Sequence, residues 1–211
     1  MSVLDRFTEV VELVGYLVIR LVYFHIIWLM FSISGLGILG IFPATMTVAY
    51  ATNLTLNGRS FSIKELFIYY KNNFIVSNAL GFIATVVFIF ILIDIRLSVH
   101  YTQSYIIYIF FLVILTLLYL VFSVMFPTYI RYDLPILGCY KQSLYLLLGK
   151  PLLILQLLVV NYITYRLYVP FPILLIGFGV TLPLYFTVWA TNYSYFKIEK
   201  LRDRDEAEVS D

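Results

Sequence analysis

Residues 21–58 read LVYFHIIWLM FSISGLGILG IFPATMTVAY ATNLTLNG, an unbroken run without one charged side chain. A soluble core helix needs no such run, whereas about twenty apolar residues rising about 1.5 Å each cross the roughly 30 Å hydrocarbon layer. Four more uncharged stretches follow, at 72–93, 97–130, 151–165 and 167–196. The 14 basic and 12 acidic residues are thereby confined to short intervals between them. The pattern is that of an all-α, polytopic transmembrane helical bundle.

Composition agrees. At 62% hydrophobic and 12% charged, the 211 residues carry too little polar surface to coat a soluble globule. One domain is expected, residues 1–196 in the bilayer, followed by a charged cytoplasmic tail at 197–211. The formal charge of +2 is too small and too dispersed for a nucleic-acid partner. The single cysteine, Cys139, excludes an internal disulfide framework and a cysteine-only metal site. Asp5, Glu9 and Glu12 precede the apolar run, and no short apolar core with a small-residue cleavage site follows them. The N-terminus therefore reads as a directly inserting first span, not a removable signal.

Five spans are expected, at about 16–42, 75–96, 104–128, 151–169 and 172–196. The first is too long for one perpendicular helix and barely long enough for two. Gly37, Gly40 and Pro43 predict a structural kink in it, since proline removes a backbone donor and clashes with the carbonyl four residues back. Arg96 and His100 fall in the short loop before the third span.

Two cytoplasmic amphipathic interfacial helices complete the reading. Ser62 and Glu65 have capping-box spacing, and Ile63, Leu66, Phe67, Tyr70 and Phe74 make one apolar stripe with Lys64, Lys71 and Asn72 off it. In 137–149, Leu137, Tyr140, Leu144 and Leu148 make a similar stripe, with Lys141 and Gln142 off it. Gly149, Lys150 and Pro151 supply the stop. Phe42-Pro43 and Phe126-Pro127, each followed by a polar interval and a Tyr-Lys pair, suggest an internal duplication; a chance recurrence of Phe-Pro at interfaces explains them equally well.

Five crossings place ten basic residues, including Arg59, Lys64, Lys71, Lys141 and Lys200, on one face and Arg6, Arg20, Arg96 and Arg166 on the other. The positive-inside rule then puts the C-terminus in the cytoplasm and the N-terminus outside. A six-span alternative turns tightly within 35–40 and improves the tally to twelve against two, at the cost of short half-spans.

Few residues invite chemistry. His25 lies inside the first span with Trp28 one turn on, and a lone histidine makes a poor metal site, so it reads chiefly as a packing or polar-contact residue. Asn161 belongs to a set of intramembrane polar groups suited to bonding across helices. Tyrosines near span ends form an aromatic belt. No phosphate loop, zinc motif, paired carboxylates or Ser-His-Asp set is present, so neither catalysis nor a cofactor is expected.

Trp28 with its apolar run, the series Gly40, Phe42, Pro43, Ala44, Thr45, the Arg-Ser-Phe at 59–61, and Tyr70, Lys71, Asn72, Asn73, Phe74 together resemble the YesL family of small bacterial membrane proteins. Tyr70 stands where phenylalanine is more usual. The resemblance covers nearly the whole chain. It implies a setting in the cell membrane of Gram-positive bacteria beside carbohydrate ABC importers. The implied function is a non-enzymatic accessory subunit that binds the permease subunits, and the ATPase through Lys64, Phe67, Tyr70, Lys71, Asn72 and Lys141. The alternative is a small transporter, or a handling or assembly protein for lipid-linked glycan such as teichoic acid.

Overall fold

No water is available within a hydrocarbon layer to satisfy backbone groups, so a chain this apolar must close its hydrogen bonds within each segment, as helices do. A computed structural model describes the protein over residues 3–101 and 104–210; the side chains of Arg6, His100, Tyr101, Arg202 and Arg204 lie outside the described part. The described residues form α1 (Val3–Ser34), α2 (Ile38–Leu56), α3 (Ile63–Asn72), α4 (Phe74–Tyr101), α5 (Tyr105–Tyr132), α6 (Ile136–Gly149), α7 (Pro151–Tyr168), α8 (Ile173–Phe178) and α9 (Thr181–Ser210), with no strand among them. Among the described residues, four segments are long and apolar enough to cross a membrane: Phe7–Ser34, Phe74–Ser98, Tyr105–Tyr132 and Pro151–Tyr168. In the most apolar 18 residues of each, only 17 to 28% are buried by protein, and large apolar side chains such as Ile19, Phe90, Ile109 and Leu155 stay exposed for lipid. The all-α polytopic expectation holds.

The expected first span at 16–42 is corrected to two helices. The chain turns between α1 and α2, where Leu36 (φ 61°) and Gly37 (φ 72°) both take left-handed backbone. The N–H of Gly37 donates to the Ser32 carbonyl at 3.0 Å and that of Gly40 to the Gly37 carbonyl at 2.9 Å. The helices then run back along each other. At Gly40, an added Cβ would collide with the Ser32 carbonyl, so the missing side chain lets the two backbones touch. Trp28 Nε1 donates to Thr45 Oγ1 at 2.9 Å further along the pair. The kink expected from Gly37, Gly40 and Pro43 is therefore a turn at Gly37 and a contact at Gly40. Pro43 lies buried inside α2, where its missing N–H removes one bond from a helix held by its packing.

Other boundaries shift for similar reasons. The loop expected at Arg96 is the last part of α4, which is helical through Tyr101. The last expected span, 172–196, is divided between α8 and α9 near Gly179, and α9 continues as helix through the charged tail. Phe42-Pro43 lies in the first turns of α2 while Phe126-Pro127 lies near the end of α5, so the two pairs do not occupy equivalent places.

The core forms around α2, which packs on α1, α4, α5 and α9 and buries ten residues, Ala44, Met46, Val48 and Ala49 among them. The Phe42 ring lies against the bare backbone of Gly81 and meets Phe82 edge-on at 5.3 Å. Polar contacts join the helices: Asn192 Nδ2 donates to Asn53 Oδ1 at 2.7 Å, Tyr129 to Asn73 Oδ1 at 3.1 Å, and Thr128 pairs with Tyr195 at 3.0 Å. Each contributes about 0.6 kcal/mol in a membrane setting. Arg131 grips Glu199 through both Nε and Nη2, with Tyr132 donating to the same carboxylate at 2.9 Å, and thereby ties α5 to α9. The residues are 27% and 30% exposed, so this bidentate pair is only partly screened.

Candidate functional site

The α3 segment is built as an anchored helix with a charged outer edge. Ser62 caps it by accepting the Glu65 N–H at 3.1 Å, and Lys71 sits in the last turn, where a cation complements the helix dipole. Leu66 is fully buried. Tyr70 is buried as well, stacks on Phe31 at 4.9 Å and donates its hydroxyl to the Phe31 carbonyl at 3.1 Å. Burial raises the pKa of this phenol, which is held as a neutral donor. Tyr69 stacks on Tyr50 at 4.0 Å, and Tyr50 donates to Glu65 Oε1 at 3.2 Å, fixing the same helix to α2. Tyr70 is thus an anchor of α3, not part of its outer surface. Lys64, Lys71 and Asn72 are exposed, and Phe67 is 52% exposed.

On α6, Lys141 is exposed, but the apolar stripe is not the inward face: Leu137 and Leu148 are 73% and 62% exposed. Cys139, Ser143, Leu146 and Leu147 are buried in their place. Small side chains bring α6 close to α5, and the Cys139 thiol donates to the Met125 carbonyl at 3.1 Å. Burial pushes this thiol up to about 12, which keeps it protonated and unreactive at neutral pH.

His25 is buried and stacks on Trp28 at 5.7 Å; its Nδ1 has no hydrogen-bond partner among the described residues. Asn161 accepts a 2.6 Å hydrogen bond from Tyr119, joining α7 to α5. No three metal-ligating side chains gather among the described residues. His25 stacks on Trp28 whereas Asn161 pairs with Tyr119, so the two belong to different contacts.

A cavity of about 530 Å³, which no local sequence signal marks, lies at the open end of the α1–α2 pair, lined by Tyr16, Arg20, Tyr23, Phe24, Thr55 and Arg59 among others. Arg20 lies over the Tyr16 ring at 4.3 Å and donates to its hydroxyl. Phe61 closes one wall against Phe24, with centroids 6.0 Å apart. The five-crossing arithmetic had set Arg20 and Arg59 on opposite faces. The hairpin brings them to one cavity.

These features define a polytopic α-helical membrane protein with a cationic, aromatic recess and a charged outer helix. Residues 21–95 of the chain match the family described as "Protein of unknown function, DUF624", and the chain is similar to two curated proteins of one bacterium. It is 26% identical over 138 residues to "Uncharacterized protein YesL" of Bacillus subtilis (strain 168), covering 64% of this chain and 65% of that one. It is 28% identical over 132 residues to "Uncharacterized protein YteU" of the same organism, covering 61% and 56%. The matched region is less than two thirds of either relative. No solved structure matches the chain.

Proposed function

We propose that this protein is a non-enzymatic integral membrane accessory subunit that docks on a partner in the cell membrane through α3. The partner that the family resemblance implies is a carbohydrate ABC importer. The observation that supports docking is the division of α3 into an inner face seated by Leu66 and Tyr70 and an outer edge carrying Lys64, Lys71 and Asn72. A helix held this firmly presents its charges without an ordering cost on binding. Lys141 on α6 adds a further exposed cation. Co-purification of the importer permease in mild detergent tests the reading. Lys64→Glu with Lys71→Glu is expected to reduce recovery of the permease about tenfold or more while the protein itself stays inserted and monodisperse. Undiminished recovery, or sugar movement by this protein alone in liposomes, refutes it.

The same proposal places both termini in the cytoplasm. A turn at residues 35–37 returns Arg6 and Arg20 to the side of Arg59, giving the twelve-against-two distribution that positive-inside favours. Single cysteines at Arg6, Arg59 and Lys141 are expected to label from the cytoplasmic side, and those at Arg96 and Arg166 from the other. The buried native thiol leaves a silent background. Opposite-side labelling at Arg6 and Arg59 sinks this topology.

A further inference from the structure

We infer that the recess between α1 and the segment after α2 binds a phosphate group, carried by the headgroup of an anionic membrane lipid. Two guanidinium groups from separate elements line it, Arg20 from α1 and Arg59 from the chain after Gly58. Gly58 has φ 71°, a left-handed turn that carries the chain from the end of α2 back over the recess. No carboxylate is among the lining residues. Glu9 and Glu12 belong to a separate hollow nearer the N-terminus. Two like charges facing one space repel each other, and an anion between them turns that repulsion into attraction on both sides.

The form of the recess narrows the anion. One guanidinium suffices for both oxygens of a carboxylate, whereas a phosphate offers oxygens enough to engage two arginines and neighbouring hydroxyls at once. Ser60 supplies such a hydroxyl, while that of Thr55, also in the lining, already donates to the Ala51 carbonyl at 2.9 Å. Tyr16 holds Arg20 by ring and hydroxyl, which reduces the freedom lost when the anion arrives. From the wall of the recess, which includes Ile19 and Tyr23, an apolar series continues along α1 to Ile26 at four- and three-residue spacing, the three being 70%, 43% and 58% exposed. They form a continuous apolar strip for the acyl chains of a lipid whose headgroup occupies the recess. A phosphate with no lipid tail makes no use of that strip.

The test uses the full-length protein in detergent, with bound lipid counted by native mass spectrometry after addition of phosphatidylglycerol or phosphatidylcholine. Wild type is expected to retain phosphatidylglycerol about tenfold better. Arg20→Gln and Arg59→Gln are each expected to reduce that retention about tenfold, the loss of one charge-assisted contact. Arg166→Gln, exposed on α7 and outside the recess, leaves it unchanged. Inorganic phosphate is titrated in a separate arm. Phosphate that binds weakly and leaves lipid retention intact supports the lipid headgroup as the source; phosphate that binds alone and displaces the lipid, with the same dependence on both arginines, keeps the phosphate site and reassigns its source to the soluble anion. Equal retention of the two lipids by wild type overturns the proposal. So does retention by the double variant equal to that of wild type, and neither result bears on the docking surface of α3.

Discussion

Gly40→Ala is expected to lower the thermal midpoint of the purified protein by about 6–12 °C, the equivalent of about 3 kcal/mol for a chain of this size. The new methyl meets the backbone of Ser32, whose Cα lies 2.9 Å from the position it would take. Backbone yields less readily than a side chain, so the overlap is relieved only by separating α1 from α2. That separation strains the 2.9 Å bond from Trp28 to Thr45 and the seat of Tyr70 against Phe31. Gly15→Ala is the control. Nothing lies within 4 Å of a Cβ there, and replacing glycine inside an exposed helix is expected to be neutral or stabilising by up to about 1 kcal/mol. Size-exclusion analysis after graded heating reads both. Equal midpoints for Gly40→Ala and wild type would show that the helices do not touch at this point.

Leu66→Asp should release α3 from the bundle. Leu66 is fully buried in the cluster that includes Phe31, Met46 and Tyr70. A carboxylate without a partner at such a site costs about 3–5 kcal/mol, more than the local helix has to lose. Amide exchange at residues 63–72 is expected to accelerate about hundredfold or more, while exchange in α2 and α5 changes little. Lys64 and Lys71 remain on the detached segment. If recovery of the permease also falls, docking requires the seated helix; unchanged exchange in α3 would mean that Leu66 does not anchor it.

The three middle spans and the helices α3 and α6 were legible because their signals are local. Charge-free length marks a crossing, and Ser62 followed by Glu65 marks a helix start that the structure reproduces as an N-cap. Which face of a helix turns inward was not legible on α6. In water, large apolar side chains mark the buried face, but lipid is as apolar as leucine, so Leu137 and Leu148 lie outward at no cost while Cys139 and Ser143 take the close contact. The turn at Gly37 is the one that the six-span alternative requires; the short half-spans it leaves told against it, and Pro43 stood as the stronger local breaker in the same run. Tertiary packing keeps Pro43 helical, and a turn only three residues long leaves no polar interval to announce it. The Arg20–Arg59 recess went unseen for the same reason, since its two cations become neighbours only after that turn. The tie between Arg131 and Glu199 joins residues 68 apart in the chain and has no local signature at all.

The α1–α2 hairpin also sets a timetable for synthesis. Residues 35–56 must leave the ribosome before α2 is complete, about 1–4 s at ordinary elongation rates. For about the first half of that delay the indole N–H of Trp28 has no Thr45 to receive it, and Phe24, Ile27 and Phe31 wait longer for Met46 and Val48, which join them in one cluster. Meanwhile α2, though it carries Thr45, Thr47, Thr52 and Thr55, arrives with each of those hydroxyls already donating to a carbonyl one turn back in its own helix, at 2.7 to 2.9 Å. The second arm therefore enters as a nearly self-sufficient cylinder, and the first arm is the one that waits.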